Sequence, residues 1–193
     1  MDHLSDHLCF AITANGPVSA EIVRSGFHEF RAVAERVRAI PYGRPANPTD
    51  VLSVFRENVG TCSSKHRLLA ATAHECGHRE VDLIVGVYEM AEDNTPGVGP
   101  ILSLVTLRSI PEAHCYLRIA GCRHDFTGLP SGRSSPFDSL LSEEAVLPED
   151  LPVAKIAIHE KAMASWALRH GVPLSRAWRI REACIEALAT NNR

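Results

Sequence analysis

Apolar residues near the start of the chain recur at spacings of three and four, as Phe27, Phe30, Val33, Val37 and Ile40. This spacing predicts a helix with one buried face. Pro41 cannot continue a helix and is followed by loop residues. The pattern therefore predicts flanking helices over residues 18–40, then a loop and a short helix from about Thr49.

A second helical pattern covers residues 62–76. Its shared face carries Cys62, His66, Leu69, Ala73 and Cys76. Thr61 precedes the pattern in the position of an N-cap, and Gly77 follows it in the position favoured for a C-terminal cap. We therefore expect Cys62 to lie in the first turn of a helix.

After Gly77 the apolar period changes to two, which predicts a strand over residues 81–90. Residues 92–100 are rich in turn formers, and the apolar run 101–107 is expected to form a second strand. Segments 114–119 and 122–127 resemble a hairpin closed by Ala120 and Gly121.

The two-residue turn would pair Ile119 with Cys122 and place His114, which opens its strand, on the same face as Asp125. A three-residue turn would instead bring His124 to that face.

The remainder of the chain is irregular over residues 128–136 and helical again over 153–190. Trp166 and Trp178 are expected to pack in these helices, with His159 and His170 at the surface. The order of helices, a cysteine-bearing helix, an antiparallel sheet and further helices indicates the α+β class. We predict one domain over residues 1–193, with a core at about 40–128.

The composition and charge of the chain argue against several classes of function. The 193 residues are 45% hydrophobic and 22% charged, with a net charge of -3 and no basic stripe, so no nucleic-acid partner is expected. No segment has the length and apolarity of a membrane span, and the N-terminus lacks the basic flank of a signal peptide. We therefore expect no membrane association and a cytoplasmic location. The six cysteines are expected to be free thiols, five of them buried, and Lys65 is expected to be solvated.

Cys62 has the setting of a reactive thiol. Unpaired backbone N–H groups and the helix dipole at a helix start favour an anion, which lowers the pKa of a thiol placed there. The other five cysteines have no comparable setting in the sequence. A cysteine nucleophile also needs a base and a group that orients the base.

Four stretches of this chain together resemble the transglutaminase-like core. They are residues 60–69 (GTCSSKHRLL), 85–88 (VGVY), 113–117 (AHCYL) and 125–127 (DFT). The resemblance runs from about Ile40 to Gly128, nearly half of the chain. It implies a papain-like fold in which the nucleophile helix packs on an antiparallel sheet, with extra N- and C-terminal helices.

The resemblance also implies a catalytic triad of Cys62, His114 and Asp125. Cys62 would attack an amide or ester, His114 would move the proton, and Asp125 would orient His114. Because the chain lacks the additional β-sandwich domains and an obvious calcium site, hydrolysis of a peptide, isopeptide or small amide is favoured over cross-linking. No cofactor and no metal are expected.

Two alternatives remain open. Residues 74–78 match the H-E-x-x-H motif, in which His74 and His78 would bind zinc on one helix face and Glu75 would act as base. Gly77 argues against it, because the helix should end before His78, and no third ligand follows on a predicted second helix. A non-catalytic binding module on the same fold is the other alternative.

Overall fold

The structure is a computed structural model that describes residues 6–191. It is an α+β fold with a four-stranded antiparallel sheet in the order β3-β2-β1-β4. The helices in chain order are α1 (Pro17–Arg24), α2 (Phe30–Ala39), α3 (Ser53–Glu57), α4 (Cys62–Glu75), α5 (Gly99–Leu104), α6 (Leu151–His170) and α7 (Leu174–Asn191). The strands are β1 (Asp82–Met90), β2 (Ile110–Ile119), β3 (Cys122–His124) and β4 (Leu140–Val146).

The chain divides into two compact units. The first holds the described residues up to Ile84 together with Cys115–Gly128 and Ala145–Leu151. The second holds Val85–His114, Leu129–Glu144 and the described residues from Pro152 onward.

Helix α4 is the centre of the first unit. It contacts α1, α2 and α3, and its apolar residues Leu68, Leu69, Ala70 and Ala73 are fully buried. Glu75, at its C-terminal end, accepts hydrogen bonds from the backbone of Val18 and Ser19 in the first turn of α1. A carboxylate is favourable there because the first N–H groups of a helix have no partner within it.

The second unit is built around α6 and α7. Trp166 and Met163 of α6 and Ala177, Cys184 and Leu188 of α7 form its buried interior, and α5 packs against α7. The predicted packing role of Trp166 is confirmed, since its side chain is almost completely buried. Trp178 is only partly buried.

The predicted helices over residues 18–40, 62–76 and 153–190 and the strand ending at Met90 are confirmed, with α1 and α2 dividing the first of these ranges. The strand predicted over residues 101–107 is wrong, because residues 99–104 form α5. Pro100 is well placed in the first turn of that helix, and a short apolar run does not by itself distinguish a strand from a buried helix. The sequence patterns also gave no sign of β4.

The predicted hairpin is confirmed in register but differs in extent. Ile119 pairs with Cys122 across the two-residue turn, as expected. His114 does not open its strand, however, since β2 already begins at Ile110. Strand β3 ends at His124, because the Asp125 carboxylate accepts a hydrogen bond from the Thr127 backbone and turns the chain.

Candidate functional site

Cys62 is the first residue of α4, as the sequence predicted. Thr61 is the N-cap, with its side chain accepting from the Ser64 backbone at 3.4 Å, while Ser64 Oγ accepts from the Thr61 N–H at 2.9 Å. This reciprocal pair fixes the start of the helix. The Cys62 side chain is buried, and its Sγ lies 3.9 Å from Ser63 Oγ.

A second thiol approaches the same serine. Cys115 Sγ lies 3.6 Å from Ser63 Oγ, so Ser63 is within hydrogen-bonding reach of the thiols of Cys62 and Cys115. Cys115 is completely buried in β2. The start of α4 is therefore in direct contact with this strand inside the first unit.

Lys65 contradicts the sequence expectation of a solvated charge, because its exposed fraction is 0%. Its ammonium donates to the Ile40 and Thr127 carbonyl oxygens, the latter at 2.6 Å. Burial lowers the Lys65 pKa to about 8, although attraction to Asp125 and Cys62 partly opposes this effect.

His66 joins α4 to the segment that follows β3. Its Nδ1 donates to the Cys62 carbonyl oxygen at 2.8 Å, and its Nε2 accepts from the Phe126 N–H at 2.8 Å. These two bonds require the neutral ring with its proton on Nδ1. The His66 side chain is completely buried.

Asp125 lies beside this histidine at the end of the hairpin. Its Oδ1 is 3.7 Å from His66 Nε2, which is too long for a hydrogen bond, and the side chain is 30% exposed. Asp125 lies one residue beyond the last strand pair, which joins Leu117 and His124. The first unit thus combines a thiol at a helix start, a buried cation and a partly exposed carboxylate.

His114, the third predicted triad residue, belongs to the second unit. It lies inside β2, is almost completely buried, and has its ring edge-on to Tyr88 at a centroid distance of 6.1 Å. Tyr88 is held in turn by a 2.9 Å hydrogen bond between its hydroxyl and Thr95. The assignment of His114 as the base stays a prediction.

The H-E-x-x-H residues have other contacts. Helix α4 ends at Glu75, so His78 lies beyond it, as the sequence indicated. Glu75 caps α1, His74 Nε2 lies 2.9 Å from the Val81 carbonyl oxygen, and His78 pairs with Glu80 at 2.8 Å. Each residue therefore has a structural role.

No cluster of three or more histidine, cysteine, aspartate or glutamate side chains suited to a metal ion is present within residues 6–191.

The cysteines are all free thiols, as predicted. Their burial differs from the prediction, in which the five cysteines other than Cys62 were expected to be buried. Cys115 and Cys184 are buried, Cys76 is intermediate, and Cys9 and Cys122 are exposed. Cys122 provides an internal reference for thiol reactivity, whereas Cys9 is hydrogen-bonded to the Arg31 guanidinium.

Comparison with known proteins yields no match to any protein-family model, curated protein or solved structure. Among the described helices, none has the length and apolarity needed to cross a membrane.

Proposed function

We propose that this protein is an enzyme that performs cysteine-dependent acyl transfer, with hydrolysis of an amide, peptide or isopeptide bond as its reaction. The observation that carries the proposal is the position of Cys62 at the first residue of a capped helix, one turn from the buried Lys65 ammonium. Helix N–H groups and a nearby cation both stabilise a thiolate over a thiol.

In this proposal the core is papain-like, of the transglutaminase-like type, with Cys62, His114 and Asp125 as the triad. The Cys62 sulfur attacks the carbonyl carbon, and its proton passes to His114, which Asp125 orients. The carbon–nitrogen bond then breaks, and His114 returns the proton to the departing amine. Water attacks the resulting thioester, releasing a carboxylic acid and restoring the thiol.

The backbone N–H of Cys62 is the proposed oxyanion donor. It belongs to the first turn of α4, where N–H groups have no partner within the helix. One such donor contributes about 3 kcal/mol to transition-state stabilisation in other acyl-transfer enzymes. This contribution requires only that the carbonyl oxygen of the substrate approach the helix from its N-terminal end.

The test is a comparison of alkylation rates by iodoacetamide at pH 7, resolved for each thiol by peptide mass spectrometry. Cys62 is expected to react faster than the exposed Cys9 and Cys122, although it is buried, because the thiolate is the reactive form. His114→Ala should remove this advantage, and His28→Ala, at an exposed position, should leave it intact.

An alkylation rate for Cys62 below those of both exposed thiols would contradict the proposal. If Cys62 is slow to react and the protein also binds one equivalent of zinc tightly, the zinc hydrolase is favoured, provided that His74→Ala abolishes zinc binding. If Cys62 is not reactive and no zinc is bound, the non-catalytic binding module is the remaining alternative.

If Cys62 is reactive, an electrophilic cysteine probe competed by a panel of small amides and peptides would identify the substrate class.

A further inference from the structure

The second unit contains a cavity that the acyl-transfer proposal does not use. It has a volume of about 460 Å³ and is lined by residues of α6 and α7. Its lining residues are Lys155, Ile156, His159, Glu160, Trp178, Arg181 and Glu182. They combine an apolar wall with several charged groups, as is common where small molecules bind.

A buried ion pair fixes one side of this cavity. Arg181 binds the Glu112 carboxylate through two hydrogen bonds of 2.6 Å each, and a third bond of 2.6 Å joins it to Glu182. Burial alone would raise the pKa of Glu112, but the charge and hydrogen bonds of Arg181 outweigh it and hold that pKa below its ordinary value. The positive charge of the Arg181 guanidinium is therefore balanced by the carboxylates of Glu112 and Glu182.

His159 presents an acceptor beside this ion pair. It is 3% exposed, and its Nε2 donates to the Pro111 carbonyl oxygen at 3.0 Å. Burial lowers the pKa of His159, so the ring is neutral at pH 7 and Nδ1 carries a lone pair. Among the residues described, none provides a hydrogen bond to Nδ1, and this atom is not sealed from solvent.

His159 lines the cavity, so its Nδ1 is an acceptor to which water or a bound ligand can donate. The Trp178 ring stands edge-on to His159 at a centroid distance of 4.7 Å, and Ile156 adds an aliphatic surface. A ligand that reaches His159 therefore lies against apolar groups.

The charges around the cavity select the class of ligand. Two cations, Lys155 and Arg181, and two carboxylates, Glu160 and Glu182, line the cavity. The buried carboxylate of Glu112, which is not part of the lining, binds Arg181. The local surplus is thus one negative charge, which attracts a cation and disfavours an anion.

We propose that this cavity binds a small organic ammonium ion with an apolar body. An N–H of the ligand donates to His159 Nδ1, its charge is balanced by Glu160 and Glu182, and its body packs against Trp178 and Ile156. The indole face adds a cation–π attraction of about 0.5–1 kcal/mol at a partly exposed site. The site is independent of Cys62, so the failure of either proposal leaves the other standing.

Three probes of similar shape test the charge requirement: 2-phenylethylammonium, 2-phenylethanol and 3-phenylpropionate. Binding is measured by calorimetry and by fluorescence of the full-length protein. The chain has two tryptophans, and Trp166 is buried, so a ligand-dependent change reports on Trp178. We expect the ammonium ion to bind most tightly, the alcohol more weakly and the carboxylate not at all.

Two pairs of variants test the individual residues. His159→Gln keeps an N–H for Pro111 but removes the acceptor at the Nδ1 position, and should weaken ammonium binding about tenfold. His170→Gln makes the same change at an exposed position of α6 and should have no effect. Glu160→Gln should weaken ammonium binding about threefold without affecting the alcohol. Glu186→Gln, at an exposed position of α7, is its control.

Equal or tighter binding of the carboxylate would overturn the proposal, as would an absence of ammonium binding up to millimolar concentration. Unchanged affinity in both His159→Gln and Glu160→Gln would also overturn it. Glu160 is exposed, so its variant keeps the test decisive even if His159→Gln fails to fold.

Discussion

Replacing Lys65 with methionine separates two opposing contributions of a buried lysine. The variant removes the donors to the Ile40 and Thr127 carbonyl oxygens, and each buried acceptor left unpaired costs about 1–3 kcal/mol. It also removes the cost of keeping an ammonium away from water. At pH 7 these contributions have opposite signs, so the net change in the free energy of unfolding is smaller than either.

The pH dependence isolates the second contribution. The Lys65 pKa is about 8 in the folded protein, against 10.5 for the ordinary side chain. Between these two values the unfolded state binds more protons than the folded state, so the stability of the wild-type protein rises with pH. The gap corresponds to about 3 kcal/mol. Below pH 8 the full cost is present, and it disappears as the pH approaches 10.5.

Lys65→Met lacks this titration. Its destabilisation relative to wild type should therefore grow by about 2–3 kcal/mol between pH 7 and pH 10. The measurement is urea unfolding in a reducing buffer, followed by circular dichroism at each pH. Lys161→Met, at an exposed position of α6, is the matched control and should show no such trend. A difference between wild type and Lys65→Met that is constant with pH would refute the reasoning.

Three further predictions concern stability measured by urea unfolding. Glu112→Gln should cost about 3–5 kcal/mol at pH 7 because it breaks a buried ion pair, and this difference should fade as the pH falls through the lowered Glu112 pKa. Glu75→Gln should cost about 1 kcal/mol through loss of a helix cap and leave Cys62 reactivity unchanged, whereas a zinc hydrolase would lose activity. Gly128→Ala should cost at least about 3 kcal/mol, because the added Cβ would lie 2.2 Å from the Arg38 backbone oxygen. Gly77→Ala should cost only about 1 kcal/mol, because its added Cβ would meet open space. A cost for Gly77→Ala as large as that for Gly128→Ala would show that positive φ alone governs both sites.

Local patterns in the sequence determined much of the secondary structure. The apolar spacing that ends at Pro41, the Thr61 cap before Cys62 and the glycine after α4 all act within a few residues of one another. The hairpin register followed from a two-residue turn, because alternation of side chains leaves few other solutions. These features are local, so the sequence alone could predict them.

Burial of charged and polar groups depended on the tertiary structure. Lys65, His159 and Glu112 look like surface residues in the sequence, yet each is buried with partners 25 or more positions away. No pattern within a window of the sequence contains such pairs. The same reason explains α5, where an apolar run suited to a strand became a helix.

The sequence by itself determined the helix that begins at Cys62, the turn that aligns Ile119 with Cys122, and the α+β order of elements. Only the tertiary structure decided that an ammonium would be buried one turn after this cysteine, and that a histidine of α6 would keep a free acceptor beside a cavity. Helix starts and tight turns arise from hydrogen bonds between near neighbours. The environment of a side chain, by contrast, is set by segments that meet only once the chain has folded.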